Sequence, residues 1–100
     1  MTKTGEFCSK MIKVGYFAFI RELTGKKEEN LVLDLTVGDL MNSLCNAYGA
    51  KFRDFCMDDE RISRNVNILV NGKHIQHLEG DETPLEENDD ISIFPLIGGG

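Results

Sequence analysis

Three consecutive glycines, Gly98, Gly99 and Gly100, follow the apolar run Ile93, Phe94, Pro95, Leu96 and Ile97. Glycine brings no packing and loses the most conformational entropy on being ordered. Such a tail is expected where the terminal carboxylate of Gly100 is itself the working group, drawn into a channel too narrow for a Cβ. A frayed terminus or a cloning remnant is the alternative reading.

The other residues with chemical potential form no recognisable set. Cys8, Cys45 and Cys56 are odd in number and have no CxxC spacing, which argues against a disulfide framework or a thiolate zinc site. Cys45 falls in a helical pattern, where a small buried apolar residue is the expectation. His74 and His77 are spaced as HxxH without a matching acid or cysteine pair, so surface histidines are expected and no metal is assigned. No histidine lies in an acid–base constellation, and no phosphate-binding glycine loop is present. A free-standing enzyme is therefore the class least expected.

Charge is unevenly placed. The net charge is −6, yet no Lys or Arg follows Lys73, while Glu79, Asp81, Glu82, Glu86, Glu87, Asp89 and Asp90 do. Nucleic acid is a poor partner for such a face. A basic protein surface suits it, because opposite fields speed and orient encounter. The apolar stretches are too short to span a bilayer and Met1 to Lys10 lacks a signal-peptide core, so no membrane is expected and the cytoplasm is the default compartment.

One hundred residues, 41% hydrophobic and 28% charged, suit one soluble domain. The expected organisation is a flexible or non-native arm over 1–10, a domain over 11–97 and the glycine tail over 98–100. Ile12, Val14 and Tyr16 alternate as a strand running to about Ala18. A turn of helix or tight bend stops at Gly25, and Lys26 to Asn30 reads as a charged loop. Leu31, Leu33 and Leu35 give a second strand, antiparallel to the first. Thr36 is a good N-cap, with Asp39 three residues on. Val37, Leu40, Met41, Leu44, Cys45 and Tyr48 follow at helical spacing, and Gly49 stands where a C-terminal cap belongs. Lys51 to Met57 reads as a short second helix and Asp58 to Asn65 as loop. Val66, Ile68 and Val70 mark a strand, Asn71-Gly72 a two-residue hairpin and His74-Ile75 its return. Asn88-Asp89-Asp90 is a turn, and Ile91 to Phe94 is the last strand, ended by Pro95. That order is α+β, with one main helix packed across a mixed sheet, as in a β-grasp fold.

Ile12 to Gly25, and within it Phe17-Ala18, Arg21-Glu22-Leu23 and Gly25, resembles the first strand and bend of the molybdopterin synthase small subunit, the MoaD family of ubiquitin-like sulfur carriers. Val70-Asn71-Gly72 resembles the central hairpin of that family. Leu85 to Ile91, Phe94-Pro95 and the glycine end resemble its closing segment. Leu96 replaces the usual second proline, and Asn88 stands where a glycine is usual; asparagine tolerates the same positive φ. The thiamine-pathway carriers share the fold and tail but are usually shorter, lacking much of Lys51 to Asn65.

The resemblance implies a carrier rather than an enzyme, with no stably bound cofactor. A ubiquitin-activating-type adenylating enzyme would use ATP to convert the Gly100 carboxylate to an acyl-adenylate. Persulfide sulfur would then displace AMP and leave a thiocarboxylate. The molybdopterin synthase large subunit would receive that sulfur for a pterin dithiolene. Phe94, Pro95, Leu96 and Ile97 are the expected partner contacts, although alternation would bury Ile93 and also favours burying Leu96. Arg21 and Glu22 are expected to be a surface pair. A ubiquitin-like modifier joined to lysines through Gly100 begins with the same adenylate, so the sequence leaves it open. A plain β-grasp binding module is the third reading.

Overall fold

The computed structural model describes residues 11–32, 36–59 and 61–96. The arm over 1–10 with Cys8, the end of the expected second strand at Leu33 to Leu35, and Ile97 to Gly100 lie outside the described residues.

Five strands, β1 (Met11–Tyr16), β2 (Glu28–Val32), β5 (Val66–Val70), β6 (Lys73–His74) and β7 (Asp90–Pro95), form one mixed sheet in the order β2-β1-β7-β5-β6. β1 runs parallel to β7, with Val14 opposite Ile91 and Tyr16 opposite Ile93. The pairs β1–β2, β5–β7 and β5–β6 are antiparallel. The last sheet strand in sequence therefore lies at the centre, between a strand from each half of the chain. This is the β-grasp arrangement.

Strand alternation sends Ile12, Val14, Tyr16, Ile68, Ile91 and Ile93 to one face, where all are buried. Helix α2 (Val37–Tyr48) covers that face with Val37, Leu40, Met41, Leu44 and Cys45. The hydroxyl of Thr36 accepts from the Asp39 amide at 3.2 Å, satisfying one of the orphan donors of the first turn. Gly49 has φ 89°, a conformation that favours glycine, and joins α2 directly to α3 (Ala50–Cys56). α3 adds Phe52 and Cys56 to the core.

Three sequence expectations are corrected. The first strand ends at Tyr16, not Ala18, because the chain turns at Phe17-Ala18 into helix α1 (Phe19–Thr24). β2 begins at Glu28, inside the stretch expected to be charged loop. Its charges are tolerated because Glu28 and Asn30 project from the open face, while Glu29 meets hydrogen-bond donors on the inner one. The expected loop from Asp58 to Asn65 contains a small hairpin, β3 (Met57–Asp58) with β4 (Arg61–Ile62), turning through Asp59 at φ 60°. The Asn71-Gly72 turn stands where the sequence placed it, with both residues at positive φ. Asn88 takes φ 70°, as its comparison with glycine required.

Candidate functional site

β7 carries the chain from the middle of the sheet toward the glycine tail. Ile91 and Ile93 point into the core, whereas Phe94 and Pro95 are half-buried. The Leu96 amide donates to the Asn65 carbonyl at 2.7 Å, one step beyond the β5–β7 ladder. Its side chain is 52% exposed rather than buried as expected: β7 ends at Pro95, and strict alternation from the buried Ile93 puts Leu96 on the opposite face with Phe94. Ile97, Gly98, Gly99 and Gly100 lie outside the described residues.

Phe94 belongs to an aromatic patch. Its ring meets that of Phe17 edge-on, with centroids 6.5 Å apart. Arg21 lies over the Phe17 ring at 5.7 Å and donates through Nε to the Tyr16 carbonyl at 2.8 Å. The Phe17 ring in turn covers Gly15, where a Cβ would stand 3.2 Å from it. Phe19 packs edge-on against Phe55 at 5.0 Å. Phe17 and Phe19 stay 42% and 43% exposed. Between them Ala18 has φ 52° and ψ −129°, a strained conformation for a residue with a Cβ. The Ile20 amide closes this turn on the Phe17 carbonyl at 3.1 Å. The strain is held by the helix that follows, and the turn presents the Phe17 ring beside β7 and the Phe19 ring to α3. The sequence reading did not place Phe17 and Phe19 at the site, although the unbroken apolar run from Tyr16 to Ile20 breaks the alternation of the first strand. Arg21 is tied to the backbone and the Phe17 ring. The ion pairs among the described residues are Lys13–Glu28 and Lys26–Glu29.

A second cluster escaped the sequence reading entirely. Glu29 Oε2 accepts hydrogen bonds from the hydroxyls of both Tyr16 and Tyr48, while Oε1 accepts from Lys26 Nζ at 2.9 Å. Burial pushes the Glu29 carboxyl up, but the hydrogen bonds from Tyr16, Tyr48 and Lys26 outweigh it and hold the group below its ordinary range. Burial, reinforced by the Glu29 charge, raises both tyrosines. The cluster fastens β1, β2 and the end of α2 together.

The remaining polar groups do not converge on a reaction. His74 accepts from the Gln76 amide at Nδ1 (3.0 Å), and its Nε2 lies 2.9 Å from Asn67 Oδ1, so both ring nitrogens are engaged. Among the described residues no group of three or more His, Cys, Asp or Glu side chains could hold a metal. Cys45 and Cys56 are buried, and burial pushes the Cys56 thiol up to about 12, far from a reactive thiolate. No helix of the described residues is long and apolar enough to cross a membrane.

The sheet order, the single long helix and a last strand leading to the tail define the class, a ubiquitin-like β-grasp protein. A sequence model of the ThiS family matches residues 14–100, and the chain belongs to that family of ubiquitin-like carriers. It is 34% identical over 91 residues to small archaeal modifier protein 3 of Haloferax volcanii, covering 89% of this chain and 98% of that one. The solution structure of small archaeal modifier protein 1 from Methanosarcina acetivorans is 36% identical, with a TM-score of 0.76 over 92% of this chain and 98% of the other. A candidate molybdopterin converting factor subunit 1 from Pyrococcus furiosus is 29% identical, with a TM-score of 0.70 over 89% and 100%. Proteins of this kind are carriers whose chemistry is carried out by partner enzymes, and this chain is a carrier rather than an enzyme.

Proposed function

We propose that the chain is a cytoplasmic sulfur carrier that works through the Gly100 carboxylate and serves molybdopterin synthesis. The observation that carries this reading is the family match, which runs through the whole tail to Gly100. The similarity to the Pyrococcus protein supports the choice of pathway.

In this reading the Gly100 carboxylate attacks the α-phosphate of ATP on an adenylating enzyme, and pyrophosphate leaves. A persulfide sulfur then attacks the acyl-adenylate carbonyl, AMP departs, and reductive cleavage of the sulfur–sulfur bond by a second thiol leaves the thiocarboxylate. Adenylation is needed because a free carboxylate is a poor electrophile. Gly100 has no Cβ to shield its own carbonyl, and Gly98 and Gly99 add no side chain to the approach. Affinity must come from the domain, since ordering a glycine tail is costly. The exposed Leu96 and the half-buried Phe94 and Pro95, with Phe17 against Phe94, offer apolar surface leading to the tail for the adenylating enzyme and the synthase large subunit. Ile97 completes the proposed contact.

A second reading is favoured by the two modifier proteins among the relatives: the same adenylate could be passed to a lysine amine of a target protein. Intact-mass spectrometry after incubation with ATP, a sulfide source and the host adenylating enzyme tests both. The carrier reading expects replacement of one oxygen by sulfur, lost when Gly99-Gly100 is removed. Conjugates with a Gly-Gly remnant on lysine, and no thiocarboxylate, would establish the modifier instead.

A further inference from the structure

Phe19 and Phe55 form an aromatic pair on a different side from the contact that leads to the tail. Their rings meet edge-on at 5.0 Å where α1 rests on α3, whereas Phe17, two residues earlier, turns to Phe94. The docking of α1 onto the core does not need Phe19, since Ile20 and Thr24 are the buried residues of that helix. Phe19 stays 43% exposed, a large ring held at the surface by its neighbour on α3.

Helical spacing sets what surrounds the pair. Residues three and four apart share a face of a helix, and those one and two apart do not. On α1, Glu22 and the half-buried Leu23 therefore flank Phe19. On α3, Lys51 flanks Phe55, while Arg53 and Asp54 point elsewhere. Glu22 and Lys51 are exposed, and neither belongs to an ion pair among the described residues. Arg21 is already held over the Phe17 ring and on the Tyr16 carbonyl. The surface thus has an apolar centre of Phe19, Leu23 and Phe55, an acid on its α1 side and a base on its α3 side. Apolar surface rimmed by polar groups marks a site of protein contact.

We propose that this surface binds a second copy of the chain in a weak two-fold dimer. In such a dimer each patch meets itself. An axis running between the two helices sets the α1 of one copy against the α3 of the other. The four rings then cluster, and Glu22 of each copy meets Lys51 of its mate. A surface made for a partner of one charge would carry one sign on both sides. Here the opposite signs on α1 and α3 make the patch complementary to itself. Helices of six and seven residues are each about 10 Å long, so the area covered falls well below the roughly 800 Å2 per partner of a standard interface. The dimer is therefore weak, with a Kd of ~0.1–1 mM.

The test uses the full chain in sedimentation equilibrium from micromolar to millimolar concentration. A salt concentration of about 0.15 M screens the net charge of −6 on each copy while sparing pairs in contact. The apparent mass should rise from 11.2 kDa toward twice that value. Amide shifts of the 15N-labelled protein should move on dilution at Phe19, Glu22, Lys51 and Phe55. Glu22→Lys and Lys51→Glu each place like charges at both contacts and should each weaken association about tenfold. Both positions are exposed, so circular dichroism should not change. An equimolar mixture of the two variants restores opposite charges at both contacts and should associate like the parent. Removing Gly98 to Gly100 should leave association unchanged. The proposal is overturned by a mass of one copy at millimolar concentration, by a mixture no stronger than its components, by dilution shifts centred on Phe94 or Val32, or by loss of association with the glycine tail.

Discussion

Glu29 shows how one residue can be costly and useful together. It sits on the inner face of β2, where a carboxylate would normally be expelled, and three donors hold it there. Glu29→Gln keeps the shape but removes the charge and turns an amide donor toward a donor. Hydrogen bonds to charged groups contribute about 1.5–3 kcal/mol each, and urea unfolding of the variant should show a loss of about that size. The pH dependence has two limbs. The Glu29 carboxyl lies lower in the folded chain than its ordinary 4.5, so its contribution is full above that value and is lost as pH falls through the folded value. Tyr16 lies above its ordinary 10.0 when folded, so its contribution is full below that pH and is lost as pH rises beyond it. Denaturant midpoints measured across pH should fall at both ends for the parent. For Glu29→Gln the acid limb should be shallower.

At the level of elements, the best-formed piece is the one with the most redundant signals. α2 has a capping threonine, apolar residues at helical spacing and a glycine stop, and all three agree. Thr36→Ala should cost about 1 kcal/mol by leaving the Asp39 amide without its acceptor, a change that thermal unfolding can read. The Asn71-Gly72 hairpin was equally legible, because few dipeptides accept two consecutive positive φ angles. β2 was read too late because Glu28, Glu29 and Asn30 carry loop chemistry, while the leucines after them alternate conspicuously. The Tyr16–Glu29–Tyr48 cluster left no local trace: its members lie on two strands and a helix and meet only after α2 has packed. The bend at Ala18 was hidden for the opposite reason, since alanine gives no warning of a positive φ. The candidate site was legible along β7, where sequence neighbours remain spatial neighbours, while Ile97 to Gly100 lie outside the described residues. It was not legible at Phe17, which reaches β7 through the parallel pairing of the first and last strands, nor at Phe19, which packs on Phe55 of α3.

Over the whole molecule, charge is polarised. The seven acids that follow Lys73 are mostly exposed and belong to the segment leading into β7. If the adenylating enzyme presents a basic rim to them, changing Glu82, Glu86 and Glu87 together to Gln should lower the association rate about tenfold at low salt. Dissociation should change little, and the difference should shrink as salt rises. Stopped-flow binding at two ionic strengths reads both. The central place of β7 has a consequence for how each copy is made. A ribosome synthesises this strand after the other strands of its sheet, yet β1 and β5 cannot share a sheet until it slides between them. Without Asp90 to Pro95 the β1–β2 and β5–β6 pairs lose the strand that joins them into one sheet, so a copy released early should be cleared by proteases, and limited proteolysis of the truncated chain should be faster than that of the full one.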